Sequence, residues 1–186
     1  MSPDLDGLIA KAKALANESR YDEAISLATD LVQRYPNEMK VWSLRAYLYT
    51  FKNDFELAVA DLTRAIDIND MEPVLFFDRG RYESRVGRFG AAVEDFGRGL
   101  ALCDHYRDDY YRETLHFFRA EALIELGRKR EALEDLSQVR DVFTSWTYKL
   151  RTKSELRAQR WLGARCAPRN SGVDVRPLSP GNGNEP

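Results

Sequence analysis

Between Trp42 and Asp70 the chain reads WSLRAYLYTFKNDFELAVADLTRAIDIND, with apolar residues returning every three or four positions on both sides of Lys52-Asn53-Asp54. This period predicts two amphipathic helices hinged at the polar triplet. The same pattern recurs before and after it. Aligned on the small residue that opens each second helix, the segments put Ala24, Ala58, Ala92 and Ala132 in register, at steps of 34 (24 to 58), 34 (58 to 92) and 40 (92 to 132) residues. A fixed period of this size is the mark of a repeat architecture.

Each anchor keeps the same surroundings. Three residues before it stands an aromatic or long side chain (Tyr21, Phe55, Phe89, Lys129), and before that a polar or glycine turn (Ser19-Arg20, Asn53-Asp54, Gly87-Arg88, Gly127-Arg128). Another small residue lies twelve positions before each anchor: Ala12, Ala46, Gly80 and Ala120. Two small residues at these places let paired helices approach closely. Taken in order, Ser2-Pro3-Asp4 supplies caps for a first helix running to about Asn17. Its partner covers Tyr21 to Arg34 and stops at Tyr35-Pro36-Asn37. Further helices are expected at about 38–51, 54–68, 72–86 and 89–103. The longer final step falls in DHYRDDYYRE, between Cys103 and Glu113, and predicts a longer helix or connection there. The other reading of this stretch is a protrusion that offers Tyr106, Tyr110 and Tyr111 to a partner.

On these residues the chain resembles the tetratricopeptide repeat family, built from 34-residue helix-turn-helix units with a Trp, Leu-Gly, Tyr, Ala, Phe, Ala, Pro signature. Trp42, Ala46, Tyr49, Ala58, Leu62 and Ala65 match it in the second unit, and Phe76, Gly80, Ala92, Phe96 and Gly99 in the third. Leu8, Ala12, Leu15, Ala24 and Pro36 mark the first, and Ala120, Leu123, Ala132 and Leu136 the fourth, where His116 replaces the Trp. The resemblance implies an all-α, right-handed superhelical solenoid of four repeats. There are two departures. Lys11, Arg45, Arg79 and Arg119 hold the place of the family's leucine, where their stems are expected to cover apolar surface with the charged heads in water. Asp70 and Asp104 stand where later prolines would close a repeat, and are expected to end one helix or cap the next.

The expected organisation is a solenoid over residues 1–162, with repeats at about 5–37, 38–71, 72–105 and 108–144 and a capping helix at about 145–162. In that cap Trp146, Leu150, Leu156 and Trp161 would face inward, with Lys149, Lys153, Arg157 and Arg160 outward. Residues 163–186, rich in Pro, Gly, Asn and Ser, cannot bury enough surface to offset ordering entropy and are expected to be a disordered tail.

Charge is unevenly spread. The whole chain carries a formal charge of −2, but residues 1–143 hold 20 Lys and Arg against 27 Asp and Glu, and residues 144–169 hold 7 against 1. The basic end raises a nucleic-acid reading, yet the solenoid beside it is acidic and no nucleic-acid motif is present. Contact with an acidic protein fits better. No apolar run approaches the length needed to cross a bilayer, export is not expected from the acidic start MSPDLDGLIAKAK, and the two cysteines, Cys103 and Cys166, lack metal-ligand spacing. The expectation is a cytoplasmic protein with no metal and no cofactor. Catalysis is not expected either: the histidines are only His105 and His116, no nucleophile elbow exists, and Gly87, Gly90, Gly97 and Gly99 follow no strand.

Function is then expected in the concave surface that stacked first helices present to a peptide or helix. In this register the groove-facing residues are Lys13 and Asn17, then Lys40, Tyr47 and Phe51, then Phe77, Arg81 and Arg85, then Phe117 and Glu121. An acidic group would lie at Arg81 and Arg85, four apart on one face, with apolar side chains against Tyr47, Phe77 and Phe117. A subset of the family binds chaperone carboxylate tails through Lys and Asn. Here those places hold Ile9, Lys13, Leu44, Val74 and Asp78, so the carboxylate clamp is not reproduced. The expected activity is that of a protein-binding adaptor, with a self-associating homo-oligomer as the alternative.

Overall fold

The helical period is realised along the chain. The computed structural model describes residues 5–107, 110–140, 144–145 and 151–152. Eight helices follow one another within them: α1 Leu5–Asn17, α2 Tyr21–Arg34, α3 Met39–Thr50, α4 Phe55–Ile68, α5 Pro73–Arg85, α6 Phe89–Tyr106, α7 Arg112–Glu125 and α8 Lys129–Ser137. Each odd helix packs on the even helix after it and the one before it, and α1 also touches α3 as α5 touches α7. The result is a helical solenoid of four repeats.

The same turn joins the two helices of every repeat. Ser19, Asn53, Gly87 and Gly127 adopt left-handed backbone, with φ of 61°, 61°, 80° and 73°. Behind each, the next amide reaches back five residues: Arg20 to the Leu15 carbonyl (2.9 Å), Asp54 to Tyr49 (3.1 Å), Arg88 to Glu83 (2.8 Å) and Arg128 to Leu123 (2.8 Å). This closure satisfies carbonyls at the end of the first helix and fixes the exit angle of the chain. A left-handed residue is cheap as Gly and tolerable as Asn, so the polar or glycine turns of the sequence have a backbone reason.

The small residues sit where the helices cross. Ala12, Ala24, Ala46, Ala58, Ala92 and Ala120 are fully buried, and Ala132 nearly so. Gly80 takes the place of the alanines because Phe96 faces it: a Cβ there would lie 2.7 Å from the Phe96 ring. The place of Phe96 is filled by Leu62 and Leu136 in the flanking repeats, so the larger ring is matched by the smaller backbone residue.

The arginines that replace the family leucine do not keep their heads in water. Arg45 pairs with Asp61 at 2.7 and 2.8 Å, Arg79 with Asp95 at 2.8 and 2.6 Å, and Arg119 with Asp135 at 2.8 and 2.6 Å, each through two hydrogen bonds. All three carboxylates are buried. Arg45 and Arg79 also point Nη1 at a hydroxyl of the preceding repeat, Thr29 at 3.5 Å and Thr63 at 3.2 Å. The planar guanidinium fork can serve both neighbours at once, which a leucine cannot. All three rungs tie the first helix of a repeat to its own second helix, and the first two also tie it to the second helix before.

The extra residues before the fourth repeat lengthen α6, which has 18 residues and runs to Tyr106. Asp104 therefore lies inside α6 instead of ending it, and it pairs with Arg112 at the start of α7. Tyr111 packs against the core, with its ring 5.9 Å from that of Phe77, whereas Tyr106 and Tyr110 are exposed.

Beyond Arg140, only two-residue strands are described: β1 Thr144–Ser145 and β2 Arg151–Thr152, paired antiparallel with Thr144 opposite Thr152 and Ser145 opposite Arg151. At these residues the expected capping helix is corrected to extended backbone. The rest of the expected cap, the inward set Trp146, Leu150, Leu156 and Trp161, and the expected tail lie outside the described residues, as do Ser2-Pro3-Asp4 and Cys166. Cys103 is buried.

Candidate functional site

The first helices α1, α3, α5 and α7 carry the residues singled out from the sequence, and burial divides them. Lys13, Asn17, Lys40, Tyr47, Phe51 and Arg85 are exposed, while Arg81 and Glu121 are half-buried. Lys40 lies 3.5 Å from Asp6. Phe117, with 0% exposure, and Phe77, with 9%, belong to the core with Phe96 and Phe118. Their assignment as ligand-facing groups is corrected. α5 and α7 are each covered by second helices on two sides, so Phe76 and Phe77, and likewise Phe117 and Phe118, are both consumed in packing. Phe77 meets Phe118 edge-on at 5.4 Å, and Phe117 meets Phe118 edge-on at 5.6 Å.

The exposed apolar surface near this face is an aromatic group shared by the first two repeats. Phe51 stacks on Tyr21 with centroids 4.9 Å apart and planes 11° apart, and Tyr47 meets Phe51 edge-on at 5.0 Å. Tyr47 is 42% and Phe51 37% exposed. One repeat further on, Arg85 takes the place of Phe51 and Phe55 that of Tyr21, and the guanidinium lies 4.6 Å over the Phe55 ring. The pairing is the same in position, stacked aromatics in one repeat and a cation on an aromatic in the next. Both pairs are thirty residues apart in sequence, 21 to 51 and 55 to 85, and that offset could have revealed them.

Arg81 lies one turn before Arg85. Its guanidinium is 5.3 Å from the Phe77 ring and 5.9 Å from those of Tyr82 and Phe118, and its Nη1 is 3.4 Å from the Asp78 carboxylate. Burial pushes the Asp78 carboxyl above its ordinary range, and the neighbouring Arg81 opposes this. Burial likewise raises the Tyr82 phenol, helped by the charge of Asp78. Tyr82 was not picked out from the sequence, and Asp78 only as a residue that departs from the carboxylate clamp. They make the Arg81 side chain a held, partly desolvated cation in place of a freely moving one.

This arrangement offers cations, aromatic faces and carboxylates, the means of recognition. Among the described residues, no group of three or more His, Cys, Asp or Glu is placed to hold a metal ion. His116 is occupied in the structure, its Nδ1 2.8 Å from Asp135 beside Arg119. Among the same residues no helix is long and apolar enough to cross a membrane.

Comparison with known proteins agrees with the repeat. A family model described as tetratricopeptide repeat matches residues 40–70. Tetratricopeptide repeat protein 13 of Homo sapiens is 30% identical over 114 residues, covering 59% of this chain, and the chain spans 13% of that relative's length. Among solved structures, MamA AMB-1 superimposes with a TM-score of 0.62 at 22% identity, covering 73% of this chain and 70% of its own. MamA from Desulfovibrio magneticus RS-1 gives 0.63 at 15% identity, covering 73% of each. At these identities the likeness to the solved structures is one of fold.

Proposed function

We propose that this chain, which carries the tetratricopeptide repeat typical of helical protein-interaction modules, is a non-catalytic adaptor. In this proposal it holds a segment of another protein along its first helices, in the cytoplasm. The segment lays an acidic group near Arg81 and Arg85 and apolar side chains against Tyr47 and Phe51. The supporting observation is that large exposed aromatics on α3 and an arginine pair on α5 occupy the same register of successive repeats, with Arg81 and Arg85 resting on aromatic rings. Exposed Tyr and Arg in a shared patch are the residue types that carry binding energy in interfaces.

The experiment is a peptide-display selection on the immobilised full chain, followed by titration of the selected peptide against Arg81→Ala/Arg85→Ala. The proposal expects affinity to fall at least about tenfold with an unchanged thermal melt. Undiminished affinity would remove the arginines from the site.

The second reading, self-association, is favoured by Tyr110 and Tyr106, 80% and 49% exposed at the α6–α7 connection. A concentration series of light scattering separates the two, since a dimer that Tyr106→Ser/Tyr110→Ser dissolves would support self-association.

A further inference from the structure

Arg81 differs from the three arginines of the rungs. Each of those closes on its carboxylate through two hydrogen bonds of between 2.6 and 2.8 Å. Arg81 makes one contact with Asp78, at 3.4 Å, about half an ångström longer than a charge-assisted hydrogen bond. Among the described residues its Nε and Nη2 donate to no acceptor, and the second oxygen of Asp78 accepts from no donor. The stack on the Phe77, Tyr82 and Phe118 rings holds the guanidinium in place. Its hydrogen-bonding capacity stays open.

Tyr82 lies beneath this pair and is 6% exposed. Among the described residues its hydroxyl has no hydrogen-bond partner, which is uncommon for so buried a phenol. Among the same residues no side-chain oxygen fully closed off from solvent lacks a partner, so the hydroxyl is the part of Tyr82 that a ligand can reach. Asp78 and Tyr47 are close enough for their charges to bear on the phenol, and burial with these neighbours keeps it protonated and able to donate.

Open donors on Arg81 and Tyr82 beside an open acceptor on Asp78 are the complement of a carboxamide, whose carbonyl accepts and whose NH2 donates. A carboxylate accepts from the same donors, but it meets the like charge of Asp78 and has no hydrogen to give it. An ammonium meets the like charge of Arg81. Asp78 and Arg81 balance each other, so a neutral group leaves neither charge uncompensated. The Asp78 and Arg81 side chains are 32% and 36% exposed, so the open atoms sit below the surface, where a side-chain amide reaches and a main-chain amide is held off by its own neighbours.

We propose that Asp78, Arg81 and Tyr82 form a subsite for the carboxamide of an Asn or Gln side chain in the bound segment. The subsite depends on the adaptor reading, and the acidic group of that segment lies alongside it, toward Arg85.

The test uses the full chain and peptides selected on it by display, each resynthesised with its Asn or Gln changed to the matching acid and titrated by fluorescence anisotropy. The expected result is a shared Asn or Gln whose change to Asp or Glu weakens binding about tenfold or more. Asp78→Asn, which exchanges the charged acceptor for an amide that serves either ligand, should abolish or reverse this preference. Tyr82→Phe, which removes only the hydroxyl, should lower it. Both variants keep the shape of the wild type, and their thermal melts check the fold. Selected peptides with no shared Asn or Gln, an acid that binds as well as the amide, or a preference that both variants leave untouched each overturn the subsite. The adaptor reading is judged on the same peptides by Tyr47→Ala/Phe51→Ala. Binding lost there, with amide and acid equal in affinity, sinks the subsite alone. Binding indifferent to both Tyr47→Ala/Phe51→Ala and Arg81→Ala/Arg85→Ala sinks the reading and the subsite with it.

Discussion

Arg79 donates two hydrogen bonds, of 2.8 and 2.6 Å, to the carboxylate of Asp95 sixteen residues further on, and a third at 3.2 Å to the Thr63 hydroxyl of the preceding repeat. The carboxylate is buried and the guanidinium side chain 20% exposed. Removing one partner of such a pair leaves an uncompensated buried charge, whereas replacing both by apolar groups can be near neutral. Asp95→Ala is expected to cost about 3 kcal/mol in chemical denaturation, at the low end for a buried pair because Arg79 retains some water. Arg79→Leu/Asp95→Leu should recover most of that loss. A single substitution costing under about 1 kcal/mol would demote the rung to a surface pair.

Gly80 and Phe96 form the second coupled pair. A methyl group at Gly80 meets the ring at 2.7 Å, and Phe96 is wholly buried, so the ring cannot yield without disturbing its neighbours. Gly80→Ala is expected to destabilise by about 1–3 kcal/mol, as overpacking does. Adding Phe96→Leu recreates the Ala46 and Leu62 combination of the second repeat and should restore part of the stability. A double mutant worse than the sum of its singles would show that the two sites do not compensate each other.

Acid sensitivity is expected at the fourth repeat. Burial raises the Asp135 carboxyl, but hydrogen bonds from Arg119 and His116 outweigh it and hold the group below its ordinary 3.8. A carboxylate with a depressed native pKa contributes stability that is present above the unfolded value and is lost as pH falls toward the native one. Wild type should therefore exceed Asp135→Asn in stability at about pH 4, by a margin that shrinks as pH falls further. Urea titrations of both proteins at several pH values check this. A margin that grows as pH falls below about 4 would reverse the assigned sign.

Tyr47 and Phe51 should separate binding from folding. Both are more than one-third exposed, so Tyr47→Ala/Phe51→Ala is expected to cost little stability beyond the loss of the Tyr21–Phe51 stack, about 1 kcal/mol. Affinity for a selected peptide should fall about tenfold or more. Calorimetry on the same samples measures both. A large stability loss with unchanged affinity would make the aromatics structural.

The repeat, its turns and its helix boundaries were legible because they rest on local signals. Small residues at helix crossings and a left-handed turn recur at fixed offsets, and each is required by backbone geometry. The Arg–Asp rungs were not read, although 45 to 61, 79 to 95 and 119 to 135 share one spacing. A single arginine at an apolar position looks like a long stem reaching water, and only the repeated acidic partner shows otherwise. Phe77 and Phe117 were misplaced for a different reason. The first helices are apolar on more than one side, because they pack on second helices before and after, so an aromatic residue on them does not by its type reveal which side it faces. Tyr47 and Phe51 were placed on the exposed side by register alone.

Hydrogen exchange of the full chain, free and saturated with a display-selected peptide, tests the central claim most directly. Segment binding along the first helices predicts slowed exchange in peptides from α3 and α5, including those that hold Tyr47, Phe51, Arg81 and Arg85, with α2 and α4 little changed. Protection confined to second helices, or to the α6–α7 connection around Tyr106 and Tyr110, would contradict it.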